Sequence, residues 1–232
     1  MYAKGIERAV RRGWDLAWKG GVRRKLVIVG GGEHAQVVAE AAESRSDLWE
    51  LAGFVDADAS ARLRNRSDLP HLGNDQDLIG RAVGENYWAV LGIGSLGSSN
   101  TRRLVVERYS GSALQWASIV HSEACVSRSA ITHEGAVVMA GAVINARATL
   151  GRHCIINTGA IIEHDVQVEA FAIVSPGATI GGGTILQENC FIGLGAKVRD
   201  HVTVGRGALV AMGAVVVRDV PTGRTVKGLP AR

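Results

Sequence analysis

The sequence predicts two units: a small parallel α/β domain over residues 25–117 and a parallel β-helix of short flat coils over residues 118–220. Three observations carry this. A strand, a glycine-rich loop and a helical pattern follow one another from Lys25; glycine is abundant, at 30 of 232 residues, with few aromatics; and from Ala124 to Asp219 the chain divides into sixteen consecutive units of six residues without one insertion. A tail is left at residues 221–232.

Residues 1–24 read as a basic extension. Ile6, Val10, Trp14 and Ala17 share one helical stripe, while Arg8, Arg11, Arg12, Asp15 and Lys19 lie off it. Residues 1–25 hold eight basic side chains and two acids, so in a chain of net charge +4 the remainder is slightly acidic, at −2. The basic balance therefore belongs to a segment that could rest peripherally on the inner face of an anionic membrane or dock on its own protein. A slightly acidic body with scarce aromatics argues against a nucleic-acid partner. No apolar run reaches the roughly 18 residues of a membrane span. The arginines and tryptophans interrupt any secretory h-region. Three cysteines fit a reducing, cytoplasmic setting.

The α/β reading starts with the apolar strand Lys25–Val29, then Gly30-Gly31-Gly32-Glu33-His34-Ala35, then Val37, Val38, Ala41 and Ala42 at helical spacing. Gly30, Gly32 and Ala35 satisfy G-x-G-x-x-G/A, a turn that lets backbone amides and a helix N-terminus approach a phosphate. The same turn also serves close strand–helix packing with no ligand. A second strand, Leu51–Val55, ends in Asp56-Ala57-Asp58, where an acid could meet a ribose hydroxyl, and a third, Tyr87–Ile93, ends in Gly94-Ser95. A helix is expected from Ser99 to Tyr109. About 90 residues hold one nucleotide-binding half, too little for a full dinucleotide site. Residues 114–123 form the join, with His121 as a linker residue.

In the repeat, the first residue of each unit is small or β-branched and the third is aliphatic in every unit but one, Thr132 being the exception. Side chains alternate with period two along a strand, so positions one and three share the inward face. Three units make one triangular coil, so the repeat spans about 5.3 coils and roughly 25 Å at ~4.8 Å per coil. Cys154 and Cys190 occupy first positions and should point inward as small hydrophobes, too far apart to pair.

Asn157 and the run Glu163-His164-Asp165 stand out among the outward positions. His164 falls at a corner, and an imidazole beside carboxylates can have one nitrogen held while the other faces a substrate, as a general base requires. A surface histidine among ordinary charges is the other reading. His133, His153, His164 and His201 fall at different places in the coil, so no three of them converge on a metal within one chain, and no metal is expected.

The loop GGGEHAQVV, the FVDAD after the second strand, the SIVHSEA junction, the hexads with NTGAIIEHD and the closing VKGLPAR resemble the hexapeptide-repeat sugar acyltransferases of the sialic acid O-acetyltransferase type, which include N-acetyltransferases of UDP- or dTDP-linked 4-amino sugars. The resemblance implies a left-handed β-helix, a homotrimer with intersubunit active sites, acetyl-CoA in a groove between prisms, and a nucleotide sugar on the N-terminal domain. It matches the general base to His164, with Asp165 or Glu163 orienting the ring and Asn157 nearby. It matches nucleotide-sugar contacts to Gly31, Gly32 and His34, with Asp56 and Asp58 near the uracil or ribose and Gly94 and Ser95 on the next loop. Backbone amides around Gly182, Met212 and Gly213 are matched to the pantetheine arm. Two departures are visible: Ile173 stands where several members carry a second histidine, and the loop after Gly94, SLGSSNTRR, is longer than usual.

The expected function is direct acetyl transfer from acetyl-CoA to the amino group of a nucleotide-linked sugar in surface glycan biosynthesis. O-acetylation of a sugar or sialic acid, and a non-catalytic nucleotide-binding trimeric scaffold, are the alternatives.

Overall fold

A computed structural model describes residues 23–63, 66–95 and 100–232. The basic stripe read in residues 1–24 and most of the loop after Ser95 lie outside them.

The N-terminal unit runs β1 (Arg24–Val29), α1 (Glu33–Glu43), β2 (Trp49–Val55), α2 (Asp75–Glu85), β3 (Trp88–Leu91), α3 (Thr101–Arg108) and β4 (Gln115–Trp116). The strands form one parallel sheet in the order β2-β1-β3-β4. β1 is central and covered on both faces, which is why it reads as a continuous apolar run. Leu26 and Ile28 pack toward α1, while Val27 and Val29 pack toward α2 and α3. α1 buries Ala35, Val38, Ala39 and Ala42, a stripe at i, i+3, i+4 and i+7, and leaves Val37 exposed.

Three elements differ from expectation, one of them β4, which adds Gln115–Trp116 of the expected join to the sheet. α2 was not foreseen, because Gly80 and Gly84 lower its helix propensity. Its start was nevertheless encoded: the Asn74 side chain accepts from the Gln76 and Asp77 amides, and Asp77 accepts from the Asn74 amide, a capping box. β3 is shorter than read, and Gly92–Ser95 instead form the loop that follows it.

The C-terminal unit is a parallel β-helix with three faces of seven, six and five two-residue strands. The first face begins at Ile119–Val120, before the first hexad, and its last strand is Thr225–Val226, inside the stretch read as a tail. The second face begins at Cys125–Val126 and the third at Ile131–Thr132. Residue i pairs with residue i+18 throughout the hexads, as in Thr149↔Gln167, Ile155↔Ile173 and Ile161↔Thr179. First and third positions of the hexads fill one continuous core. A fully buried aliphatic there contributes on the order of 1.5–3 kcal/mol. Cys154 and Cys190 are in that core as free thiols, and burial pushes the Cys154 thiol up to about 12.

Corners join the faces, and the second residue of most takes a left-handed backbone. Between the first and second faces that residue is glycine at successive rungs, including Gly213 at φ 65°. Between the second and third faces it is Arg147 at φ 59°, Asp165 at 61°, Gly183 at 65° and His201 at 54°. Side chains are thus carried at a cost in backbone strain on the corner where His164 stands.

The two units meet through α1, which packs with Ile119, Val137 and Met139 of the first face, and through α3. Arg102 is 2% exposed and donates to the carbonyls of His153 and Phe171 at the third–first corner. The His153 ring stacks on Phe171 and meets the edge of Trp116 from β4. Among the described residues no carboxylate faces the guanidinium, and burial pulls its pKa down to about 10. Arg103 pairs with Glu188, which also binds Arg206, on the outer side of the same junction.

Candidate active site

A cavity of about 1150 Å³ lies between the carboxyl ends of the α/β strands and the first face of the β-helix. Gly30–His34 and Gly92–Ser95 form its upper rim with Asp56; Asn157 and Ser175 line the solenoid side with Ile155, Ile173, Phe191 and Leu209. Pro176, Leu194 and Met212 close it along the first–second corner, and Met212 is 74% exposed.

The rim is held by Asp56. Its Oδ2 accepts the Gly31 amide at 2.7 Å and its Oδ1 the Asp58 amide at 2.9 Å, so the carboxylate braces the glycine loop while Asp56 lines the cavity. Asp58 does not line the cavity; its Oδ1 accepts the Ser60 amide and hydroxyl. Gly31 must be glycine because a Cβ there would come within 2.9 Å of the Phe54 ring. α1 starts at this loop with Gly32 as N-cap and no side-chain cap. Its first amides are thereby open to an anion. His34 follows, its Nε2 buried without a partner among the described residues and its pKa lowered to about 4 by burial and by Arg102. The imidazole is therefore neutral.

The second cluster stands on the second–third corner. His164 Nδ1 bonds Asp165 Oδ2 at 2.8 Å. A carboxylate only accepts, so in the neutral ring the proton sits on Nδ1 and Nε2 keeps its lone pair. Asp165 is gripped from the other side by Arg147, whose Nε donates to Oδ1 and Nη2 to Oδ2, both at 2.7 Å. Arg147 and His164 hold the Asp165 carboxyl well below the usual carboxylate range. Of the two candidates for orienting the ring, Asp165 is the one in contact; Glu163 accepts from the backbone amide of His164 at 3.3 Å. The open edge of the ring lies over Gly182: a Cβ there would sit 2.7 Å from Cε1 and 2.8 Å from Nε2.

The sequence-derived residues thus fall into two groups. Gly31, Gly32, His34, Asp56, Gly94, Ser95, Asn157 and Met212 line the cavity. Glu163, His164, Asp165 and Gly182 stand at the far edge of the second face. Asn157, read as a neighbour of His164, belongs to the first group within one chain: its Nδ2 donates to the Val174 carbonyl at 3.0 Å, and a whole face separates it from the imidazole. Gly213 turns the corner behind Met212. Ile173, at the place of the family's second histidine, is an apolar rung between Ile155 and Phe191. Arg147 was missed, although it precedes Asp165 by one 18-residue coil and could have been found by that spacing. Arg102 and His153 carry no comparable local signal.

Comparison with known proteins places these features in a family. Residues 25–109 match the family described as PglD N-terminal domain. GDP-perosamine N-acetyltransferase from Caulobacter crescentus, solved with CoA and GDP-perosamine, superimposes with a TM-score of 0.82 at 33% identity, over 90% of this chain and 95% of that one. The acetyltransferase domain of PglB from Neisseria gonorrhoeae, solved with acetyl coenzyme A, gives 0.82 at 35% identity, over 91% and 99%. WeeI from Acinetobacter baumannii shares the fold, with a TM-score of 0.78 at 21% identity over 90% and 99%. No curated protein sequence matches the chain.

Proposed function

This chain belongs to the hexapeptide-repeat sugar N-acetyltransferases, and we propose from that premise that it moves the acetyl group of acetyl-CoA onto the amino group of a nucleotide-linked amino sugar, with His164 as general base. The observation that carries the reading is the Asp165–His164 pair, which leaves Nε2 as a proton acceptor at an exposed corner.

His164 Nε2 takes the proton of the attacking amine. The C–N bond forms as the C–S bond breaks, and the proton passes from the imidazolium to the departing sulfur, so CoA leaves as the thiol. The glycine rim, with the open amides of α1, suits the diphosphate of the sugar nucleotide. Asp56 contributes by holding that rim in shape. Gly182, bare beside the imidazole, and Met212, exposed at the cavity edge, suit the pantetheine arm of the co-substrate. No exposed thiol stands in either group, and direct transfer needs none.

His164 and the cavity occupy different edges of one prism, so a complete site needs the His164 corner of one copy against the cavity of another. That supports a homotrimer with intersubunit sites. Contact of the basic N-terminal segment with an anionic membrane is part of the same reading.

The test is thiol release from acetyl-CoA over a panel of UDP-, dTDP- and GDP-linked amino sugars. One of them should be acetylated on nitrogen, and His164→Ala should lower kcat by roughly 10²–10⁴. Nucleotide binding with no thiol release from any member would favour a scaffold, and near-normal turnover by His164→Ala would remove the base.

A further inference from the structure

We infer that Arg147 is a positioning residue of this reaction: its guanidinium, one coil before Asp165 on the same corner, fixes the carboxylate that in turn fixes the His164 ring. The inference rests on the reading of His164 as the base.

The geometry is a relay through one oxygen. Asp165 Oδ2 accepts from Arg147 Nη2 at 2.7 Å and bonds His164 Nδ1 at 2.8 Å, so the guanidinium and the imidazole lie within about 5.5 Å of each other. Oδ1 is taken by Arg147 Nε. The planar fork therefore sets the plane of the carboxylate as well as its position. An exposed aspartate alone would not be so held, because its terminal torsion is broad.

Stability does not explain the pair. The Arg147 and Asp165 side chains are 64% and 42% exposed. Exposed ion pairs contribute little, bidentate arginine–carboxylate pairs somewhat more. Yet both residues occupy left-handed corner positions that the first–second corner fills with glycine. A bidentate pair spanning two successive rungs beside the imidazole is accounted for if it orients His164. The other groups facing the ring do not perform that task. Glu163 is turned to the backbone, Gly182 and Gly183 bear no side chain, and His201 packs over Gly183 on the next rung.

The experiment measures kcat and KM by thiol release with the accepted sugar nucleotide for Arg147→Ala, Arg147→Lys, Asp165→Ala and the Arg147→Ala/Asp165→Ala double variant, alongside His164→Ala. Arg147→Ala should lower kcat about 10–100-fold with KM for both substrates and the melting temperature nearly unchanged. Lysine, a single point donor, should restore part of the loss. If Arg147 acts through Asp165, its removal in the Asp165→Ala background should change kcat by less than about twofold. Wild-type kcat in Arg147→Ala, or an equal loss in both backgrounds, overturns the inference while an inactive His164→Ala leaves the base standing. An active His164→Ala overturns the base itself.

Discussion

Gly181 and Gly182 are adjacent, and a methyl group added to each should fail in opposite ways. At Gly182 a Cβ would stand 2.7 Å from Cε1 and 2.8 Å from Nε2 of His164, with ordinary contact beginning near 3.4 Å. The ring must retreat by at least about 0.6 Å at its reactive edge, and it can, because it is the end of an exposed side chain and φ at Gly182 lies outside the left-handed region. A displacement of about 1 Å costs on the order of 10²-fold in rate, or about 3 kcal/mol of transition-state stabilisation. Gly182→Ala should therefore keep its melting temperature within about 2 °C and lose kcat roughly 10–100-fold. At Gly181 a Cβ would stand 2.4 Å from the Asp200 amide nitrogen and 2.8 Å from its Cα. That backbone belongs to the next coil, which the Gly181 amide already holds through Val198 at 2.8 Å. Overpacking of this kind costs about 1–3 kcal/mol, so Gly181→Ala should lower the melting temperature by roughly 3–10 °C. Steady-state thiol release and calorimetry on the same preparations separate the two. Full activity in Gly182→Ala would refute the placement of the imidazole, and a melting drop equal to that of Gly181→Ala would show that the fold, not His164, needs the space.

Two other measurements probe buried groups. Burial, with Arg102 and Arg152 nearby, lowers His153 to about 3, whereas an unfolded histidine titrates near 6.5. Below 6.5 the unfolded chain binds the extra proton, so stability is fully present above that pH and is lost as pH falls toward 3. In urea titrations from pH 7 to 4, His153→Asn, which tolerates the φ of 53°, should flatten the decline, leaving the similar contribution of His34; an unchanged slope would mean that His153 does not titrate on unfolding. Alkylation at pH 8 should add one adduct to the folded chain, at exposed Cys125, and three after denaturation. Rapid labelling of Cys154 or Cys190 in the native protein would contradict their place in the core.

Much of the fold was legible because the β-helix is a local code repeated. Period two sends positions one and three inward, and period eighteen stacks them, so Ile144, Ile162 and Ile180 fall in one column. The same arithmetic placed His164 at a corner. Helix α2 escaped because its apolar pattern is interrupted by glycines, although its capping box was present. The candidate site was less legible. The place of Asp56 after a strand points to the cavity, which it lines, but not to its hydrogen bonds with the Gly31 and Asp58 amides, which close the loop.

By itself the sequence determined the coil, its register, the inward columns and the pairing of His164 with an adjacent carboxylate, since each depends on neighbours along the chain or on a fixed spacing. The tertiary structure decided which of the two carboxylates the ring meets, that a guanidinium eighteen residues away completes the relay, and that Arg102 leaves water to hold two solenoid carbonyls. It also set the glycine rim and the imidazole on different edges of the prism. Those outcomes depend on where side chains end in three dimensions, on rotamer, burial and the docking of one unit on another, which no repeat period encodes.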